Sequence, residues 1–405
     1  MKNMQKKIFN PIWLFAVVTL VISVCLIFNY ETVYAFFNKI ERPIIFSENR
    51  VLNSLWRNYK LEYLEPGTFR TLDKQQNNIT TSEGQSYSML RSVWTDDKPT
   101  FDSVWQWTQD NLRQPNSKLF SWLFGQRSNG TYGVMAERGG NNSASDADVD
   151  IALALHLASI RWNEPKYKAQ AIEIIKDIWE NEVVIVNGNP VLVANNLERN
   201  NDLMLVNPSY FAPYAFRKFA QLDPSNPWEE LAKNSYNILN QATAQNLDKN
   251  KSAYLPPDWI VIDRVSGQIK PAQSNNFTSN YGYEAIRIPW RIALDWQWYQ
   301  NEDAKQYLQK LSFLKNEWET NKKIMAVYAH DGEVVQNFEQ LSAYGGSLGY
   351  FTVVNPELAN QVVEQKIISR YSPDQNSWKI IEGYYDDNWA WFGYALHLNF
   401  TSDFE

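Results

Sequence analysis

Three segments of the sequence place carboxylates among amide and aromatic side chains, at positions where helices are predicted to begin. They centre on Glu83, Asp146 and Glu284. Two carboxyl groups that face one cleft can divide acid and base chemistry between them, provided that one stays protonated and the other ionised. The sequence therefore predicts acid–base catalysis, although each segment also has a simpler structural interpretation.

In the first segment, Thr80 to Tyr87, the simpler interpretation is a capping box. Thr80 would cap a helix, and Glu83, three residues later, would hydrogen-bond back to the backbone of the cap. Gly84 follows directly, and a glycine in a first helical turn costs stability while letting another group approach closely. The segment therefore fits either a cap or a helix start that faces a ligand.

The second segment carries Asp146, Asp148 and Asp150 into an apolar helix. Ser145 and Asp148 could form a cap pair, since acids favour a helix N-terminus. A calcium loop is excluded, because apolar residues stand where its glycine and its last glutamate are required. Asp146 and Asp150 are predicted to share one helix face, with Asp148 on another. Charge beside a buried wall usually needs a partner or a function.

In the third segment, Glu284 and Arg287 are three residues apart, the spacing of an ordinary ion pair on a helix surface. Tyr283 and Trp290 flank them, and the segment has the composition of a buried one. This favours a functional pair over a solvated one.

The composition excludes several classes of function. A net charge of −7 and a pI near 5.3 argue against nucleic acid as a partner. Cys25 is the single cysteine, and the three histidines are far apart in the sequence, so neither a metal site nor another cofactor is predicted. The 17 Trp and 22 Tyr could supply flat platforms on which sugar rings stack.

The N-terminal segment predicts a membrane anchor. Lysines at positions 2, 6 and 7 precede an apolar run from Ile12 to Phe28, close to the shortest length that spans a bilayer. We expect residues 1–30 to anchor the chain in the cell membrane, residues 31–46 to form a linker, and residues 47–405 to be exported as one domain. A signal peptide cleaved near Ala35 is the alternative.

The body of the chain is predicted to be all-α. Helical periodicity recurs in about twelve segments with few convincing strands. The predicted helices begin near Glu48, Glu83, Thr100, Asp146, Lys166, Tyr210, Pro227, Glu284, Glu302, Phe338, Glu357 and Asp386. The helix from Asp148 to Trp162 is apolar on every face, whereas that from Lys166 to Glu180 is amphipathic. Alternation of buried and amphipathic helices indicates two concentric layers closed into a barrel.

Five segments, in this order along the chain, closely resemble motifs of glycoside hydrolase family 8. That family includes endoglucanases, chitosanases and xylanases, among them the cellulase attached to bacterial cellulose-secretion systems. The resemblance implies an (α/α)6 barrel and inversion at the anomeric carbon. The matching positions are Ser82–Tyr87, Ser121–Gly125, Ala144–Asp148 continued by Ile151, Ala152, Ala158 and Trp162, Asn207–Phe211, and Tyr283–Arg287.

The resemblance also implies a role for each matching residue. Glu83 would be the general acid, and Asp146 would bind and distort the sugar before the scissile bond. Tyr210 and Arg287 would help place the attacking water and the base, and Trp122 would be a stacking platform. An inverting pair keeps its two carboxyl groups about 6.5–9.5 Å apart, which leaves room for the water. Further substrate contacts are expected from Gln85, Tyr87 and Tyr283.

Two positions depart from the family pattern. His156 stands where the family prefers an aliphatic residue or glycine. Glu284 stands where the endoglucanases of the family usually carry aspartate as the base, so the candidate base is one methylene longer. In one branch of the family the base lies in a loop, and Asp263 is a candidate stand-in here.

The function favoured by these residues is an endo-acting hydrolase of β-1,4-linked glucan that trims an exported polysaccharide beside a membrane synthase or export complex. One alternative is a glycan-binding accessory protein that has lost catalysis through the change to Glu284. Chitosan and xylan are alternative substrates within the enzyme class.

Overall fold

A computed structural model describes residues 44–272 and 276–405, with side chains from Asn49 onward. The predicted anchor over 1–30 and linker residues 31–43 lie outside the described residues. The chain divides into two compact units, Met1–Val51 and Leu52–Glu405, and the second unit holds the architecture considered below. Nowhere in the described part of the chain is a helix long and apolar enough to cross a membrane.

Helices dominate the described residues, as the periodicity predicted. Most begin within four residues of their predicted starts. The prediction missed α10, a helix of 10 residues that buries only Leu314 and Trp318. In chain order, α1 to α13 are Ile44–Tyr63, Ser82–Trp94, Lys98–Leu112, Ser145–Arg161, Pro165–Glu182, Pro213–Leu222, Trp228–Ala244, Arg287–Tyr299, Glu302–Lys310, Ser312–Asn321, Leu341–Val354, Pro356–Val362 and Tyr384–His397.

Six of these helices form an inner ring. Helix α2 packs against α4, α4 against α6, α6 against α8, α8 against α11, α11 against α13, and α13 returns to α2. Helix α4 is buried at every residue from Ser145 to Ala158, as its all-round apolar sequence predicted. The ring is consistent with an α/α barrel.

The outer helices cover the inner ones pairwise. Helix α3 packs on α2, α5 on α4, α7 on α6, and α9 on α8. Helix α5 turns Tyr167, Ala171, Ile174 and Ile178 inward, a spacing of three to four residues that confirms its predicted amphipathic character.

Two glycines let α11 approach its neighbours closely. A Cβ at Gly345 would lie 2.0 Å from the carbonyl oxygen of Trp389 on α13, and one at Gly346 would lie 1.9 Å from that of Ile286. Any larger residue would push these backbones apart. Because Ile286 immediately precedes α8, this packing fixes the start of the helix that carries Arg287.

Short antiparallel strands connect the helices, and they were not predicted because each has only two to four residues. In chain order, β1 to β12 are Thr80–Thr81, Leu123–Gln126, Tyr132–Val134, Val183–Val186, Asn189–Leu192, Leu203–Val206, Ile260–Asp263, Ile269–Pro271, Val327–Tyr328, Val334–Gln336, Tyr371–Ser372 and Ser377–Trp378. They form the sheets β1-β2-β3, β4-β5, β6-β7-β8, β9-β10 and β11-β12.

Candidate active site

A cleft of about 540 Å³ lies where the N-terminal ends of the six inner helices meet. Helix N-termini carry a partial positive charge, which favours carboxylates beside them. This explains why one cleft can collect five acidic side chains. Its lining is Asp73, Gln75, Gln76, Thr81, Ser82, Glu83, Trp122, Ala144, Asp146, Tyr210, Tyr283, Glu284, Gln340, Tyr384, Tyr385 and Asp386.

The cap of α2 leaves Glu83 free for the cleft. Thr81, and not the predicted Thr80, is the N-cap, and its Oγ1 accepts the N–H of Gly84 at 3.0 Å. Thr80 instead donates its hydroxyl to the carbonyl of Thr71 at 2.8 Å. The capping-box interpretation is therefore wrong, because the oxygens of Glu83 accept from Arg287 and Tyr384 and not from the backbone of Thr80.

Arg287, which is fully buried, ties the three predicted carboxylates together. Its Nη1 donates to Glu83 Oε2 at 2.8 Å and to Asp146 Oδ2 at 2.9 Å. Its Nη2 donates to Glu284 Oε2 and, at 2.7 Å, to Ser209 Oγ. The interpretation of Glu284 and Arg287 as an ordinary surface pair is therefore wrong.

The three carboxylates differ in access and in free oxygens. The side chains of Glu83 and Glu284 are 21% and 29% exposed, whereas that of Asp146 is 3% exposed. Asp146 has both oxygens occupied, because Oδ1 accepts the N–H of Ala147 at 2.8 Å. Glu284 Oε2 accepts hydrogen bonds from Arg287 and, at 2.8 Å, from Asn207. Oε1 is therefore left for the cleft. Glu83 and Glu284 are thus the acids placed to exchange protons with a ligand.

The protonation of Glu83 and Asp146 is shifted toward the neutral acids. Burial raises the pKa of Glu83 to about 8; Arg287 opposes the rise, while Asp146 and Glu284 add to it. Burial likewise raises the pKa of Asp146 to about 6, again against Arg287. One guanidinium faces three carboxylates, so retaining a proton on Glu83 removes part of the excess negative charge.

Three residues of the segment before α6 contact Glu284 or Arg287. Asn207 donates to Glu284, as described above, and Ser209 Oγ accepts from Arg287. The Tyr210 ring lies under the guanidinium, with the Arg287 carbon 5.3 Å from the ring centroid. Tyr210 also lines the cleft, so the segment orders Glu284 and Arg287 from the same side.

Aromatic side chains form the walls of the cleft. Trp122 packs on Ile79, Leu123 and Met135 and donates its Nε1 to the carbonyl of Gly139 at 2.8 Å, which fixes the plane of its indole. Tyr283, 38% exposed, donates its hydroxyl to Gln336 at 2.8 Å. Flat, partly open rings held in this way suit the faces of sugars.

Comparison with known proteins identifies the family. The sequence profile described as "Glycosyl hydrolases family 8" matches residues 41–388. The chain belongs to this family. An endoglucanase of Cellulomonas uda is 32% identical over 240 residues, 59% of this chain and 62% of that protein. Endoglucanase 2 of Ruminiclostridium josui is 29% identical over 279 residues, 67% of this chain and 55% of that protein. The match spans about three fifths of these relatives' length.

Solved structures share the fold of this chain. The endo-1,4-D-glucanase of Vibrio fischeri has a TM-score of 0.70 at 24% identity, covering 84% of this chain and 93% of that one. The endo-β-1,4-glucanase of Acetobacter xylinum has a TM-score of 0.69 at 20% identity, covering 87% and 100%. At these identities the likeness is one of fold.

Besides the buried Arg287, the predicted site residues Gln85 and Tyr87 of this family 8 chain do not line the cleft. Gln85 is fully buried, and its amide accepts from the N–H of Thr71 at 2.6 Å and donates to Thr108 at 3.0 Å. Tyr87 is buried too, and its hydroxyl receives hydrogen bonds from Arg287 and Trp389, both at 3.2 Å. Both residues therefore support the cleft from behind.

Asp263, the predicted stand-in base, lies outside the cleft. It ends β7, accepts the N–H of Ser266 at 2.9 Å and pairs with Lys270 at 3.0 Å. The turn's N–H groups and Lys270 hold the pKa of Asp263 well below its usual range. Its carboxylate belongs to the β7–β8 turn, so the prediction of Asp263 as base is wrong.

Other residues of the site were not predicted from the sequence. Asn207 and Ser209 were within a matching motif but carried no predicted role, and Tyr384 and Tyr385 come from a segment with no recognised motif. Tyr384 donates to Glu83 Oε1 at 3.3 Å, and Tyr385 donates to the carbonyl of Tyr283. Two adjacent tyrosines followed by Asp386 at a predicted helix start were the available signal.

Proposed function

We propose that the protein is an inverting, endo-acting glycoside hydrolase that cleaves β-1,4-linked glucan. The observation that carries the proposal is the unequal cluster on Arg287, in which Glu83 keeps a raised pKa and Glu284 presents an unbound oxygen. A pair with one protonated and one ionised carboxyl is what inverting hydrolysis requires.

In the proposed reaction, Glu83 donates its proton to the glycosidic oxygen as the bond from that oxygen to the anomeric carbon breaks. A water molecule attacks the same carbon from the opposite face, and Glu284 Oε1 takes its proton. The products are two shorter chains, with Glu83 ionised and Glu284 protonated. Proton exchange with solvent restores the starting state.

The neighbouring residues then have supporting roles. Asp146, held by Arg287 and by its own helix N-terminus, would bind and distort the sugar before the scissile bond. Tyr210 would help place the water, and Trp122 and Tyr283 would bind sugar faces along the cleft. We also propose that the inner ring and its outer partners make a complete (α/α)6 barrel.

The substrate proposal follows the names of the relatives, which are endoglucanases. The N-terminal sequence supports a single-pass anchor in the cell membrane with the hydrolase domain outside the cytoplasm. In that position the enzyme would edit a polysaccharide as it is exported, beside a synthase or export complex.

The test is an assay of reducing ends released by the purified full chain from carboxymethylcellulose, mixed-linkage β-glucan, xylan and chitosan. Glu83→Gln and Glu284→Gln are measured alongside, and Asp263→Asn is the matched change of an acid outside the cleft. We expect turnover of a β-glucan, loss of at least about a thousandfold in each cleft variant, and no loss in Asp263→Asn. Anomer-resolved NMR of the first product reports inversion.

Three results would contradict the proposal in distinguishable ways. Oligosaccharide binding without turnover on any polymer would indicate the glycan-binding protein instead. Preferred turnover of chitosan or xylan would replace the substrate but keep the mechanism. Turnover that survives Glu284→Gln and is lost in Asp263→Asn would reject Glu284 as the base.

A further inference from the structure

The turn that carries Glu284 is wrapped around the carboxylate of a second acid, Asp258. A single oxygen, Oδ1, accepts the backbone N–H of Gly282 at 3.1 Å, of Glu284 at 3.0 Å and of Ala285 at 2.7 Å. Successive N–H groups that converge on one point form a concave anion-binding site. Here the anion is a side chain of the chain itself, and it fixes three of the four residues around the candidate base.

Asp258 has no other evident purpose. It is 8% exposed and does not line the cleft, so it is not placed to touch a substrate. No lysine, arginine or histidine of the described residues lies within salt-bridge distance of it. Burying an acid without a cation is costly unless its hydrogen bonds are well formed. Its three partners are all N–H groups of the Glu284 turn.

Gly282 makes room for this arrangement. A Cβ at position 282 would lie 2.7 Å from Asp258 Oδ2, with Val327 Cγ1 at 3.4 Å on the other side. The need here is for space, because a side chain would expel the carboxylate from the turn. Gly282 and Asp258, 24 residues apart, are therefore two parts of one device.

The segment of Asp258 also reaches the other group proposed to place the water. The Asp258 N–H donates to the carbonyl of Asn280 at 2.6 Å, which ties the segment to the chain just before the turn. The neighbouring Trp259 ring meets the Tyr210 ring edge to face, with centroids 5.8 Å apart. One two-residue segment thus holds the Glu284 turn and buttresses Tyr210.

We propose that Asp258 is a positioning residue for Glu284. Its carboxylate holds the 282–285 backbone so that Glu284, one methylene longer than the usual aspartate, keeps Oε2 on Arg287 and Asn207 and turns Oε1 to the cleft. This inference rests on the proposed function of Glu284 as base. It adds that the base is oriented through its backbone by an acid outside the cleft.

The test is Asp258→Asn in the full chain, assayed on the polymer that the wild type turns over. Burial raises the pKa of Asp258 to about 7. Asparagine keeps a carbonyl oxygen in the same place but loses the charge with which the ionised carboxyl strengthens the three bonds. We expect kcat to fall about tenfold to a hundredfold and KM to stay within about twofold, because positioning of the base acts in the transition state. Binding of a cello-oligosaccharide, measured by calorimetry, should be unchanged.

Two companions keep the result interpretable. Gly282→Ala should reproduce the fall in kcat with Asp258 itself intact, by displacing its carboxylate. The matched control is Asp331→Asn, since Asp331 Oδ1 likewise accepts a backbone N–H, that of Glu333 at 3.1 Å, on an exposed turn. The control should keep full activity.

The outcomes separate the two proposals. Full kcat in both Asp258→Asn and Gly282→Ala, with Glu284→Gln inactive, would overturn the positioning role and leave the proposed function standing. A lower melting temperature with unchanged kcat per folded molecule would likewise overturn it, because Asp258 would then only stabilise the fold. Absence of turnover by the wild type would overturn both.

Discussion

Helices α4 and α8 are joined by two aspartate–arginine pairs that lie one turn apart. The two pairs consist of the same residue types but have different roles. Asp150 and Arg291 form the deeper pair, with two parallel bonds of 2.9 and 2.7 Å and a third from Arg291 to Tyr214 at 2.8 Å. Asp146 and Arg287 form the upper pair at the cleft, where Arg287 also bonds Glu83 and Glu284.

The difference between the pairs is their charge balance. The deeper pair contains one carboxylate and one guanidinium, and neither residue lines the cleft. Its role is therefore limited to holding α4 against α8. In the upper pair, Arg287 faces two carboxylates besides that of Asp146, and the group is open to the cleft. One of its acids, Glu83, can therefore keep a proton and donate it to a ligand. Charge imbalance together with access therefore marks the reactive group, because burial and pairing are common to both.

The largest expected difference between the pairs is in stability. Asp150→Asn leaves Arg291 buried without its counter-charge, and we expect a loss of about 3–5 kcal/mol in the free energy of unfolding. Asp146→Asn removes one of three competing carboxylates, so we expect a change within about 1 kcal/mol. Chemical denaturation of both variants at neutral pH measures this. Equal losses would show that the two pairs are energetically alike.

The next largest effect concerns activity. A lysine in place of Arg287 keeps the charge, but its single ammonium does not match the fork that serves Glu83, Asp146, Ser209 and Glu284. We expect Arg287→Lys to lower kcat about a hundredfold. Arg291→Lys should keep kcat per folded molecule within about threefold, because it misplaces no cleft group. Steady-state kinetics corrected for the folded fraction checks both, and equal activity losses would contradict the comparison.

Much of this geometry was predictable from the sequence, and the reason is that it is local. Asp146 and Asp150 were expected on one helix face, with Asp148 on another, and the structure confirms it through Arg287, Arg291 and the Phe120 N–H that binds Asp148 at 3.0 Å. Helix starts were predicted for the same reason, since caps and apolar periodicity are properties of neighbouring residues.

Most of what failed was non-local. Gln85 and Tyr87 share a motif with Glu83, but Gln85 is rotated by about 200° around the helix from Glu83, and Tyr87, on the same face as Glu83, lies one turn deeper than the cleft. Asp258 and Asp263 lie in one segment, and their sequence positions do not show which of them acts on the site. Only the tertiary structure shows that the partners of Asp258 are N–H groups 24 to 27 residues away. The short strands and α10 escaped because too few of their residues are buried to set a period.

The other face of α4 supplies a third, smaller test. Asp148 and Glu182 face each other, fully buried, and Ser143 donates to Glu182 Oε1 at 2.5 Å. Burial raises the pKa of Glu182 to about 8, and it raises that of Asp148 well above its usual range. These shifts are as strong as that of Glu83, yet neither acid reaches the cleft.

Because the folded-state pKa of Glu182 lies above the unfolded value of about 4.3, its stabilising contribution is complete below that value and is lost as pH rises toward 8. Glu182→Gln should therefore gain stability relative to the wild type as pH rises, by up to about 1.4 kcal/mol per pH unit. Denaturation midpoints from pH 5 to 8 measure this. Glu180→Gln, an exposed change in the same helix, should run parallel to the wild type. A constant difference between Glu182→Gln and wild type would contradict the raised pKa of Glu182.

The smallest effect is the one that Asp146 exerts on Glu83. Burial is the main cause of the raised pKa of Glu83, and the negative charge of Asp146 adds to it against the pull of Arg287. In Asp146→Asn that charge is gone and Arg287 is freer to bind Glu83, so both changes favour the ionised acid. We expect the pKa of Glu83 to fall from about 8 by less than about one unit, equivalent to less than about 1.4 kcal/mol.

NMR titration of ¹³C-labelled glutamate carboxyls, with Glu83 assigned by its absence in Glu83→Gln, measures this without relying on turnover. Asp331→Asn should leave the titration unchanged. A rise in the Glu83 pKa would contradict this prediction. It would show that Asp146 does not compete with Glu83 for the Nη1 of Arg287 that both carboxylates accept from.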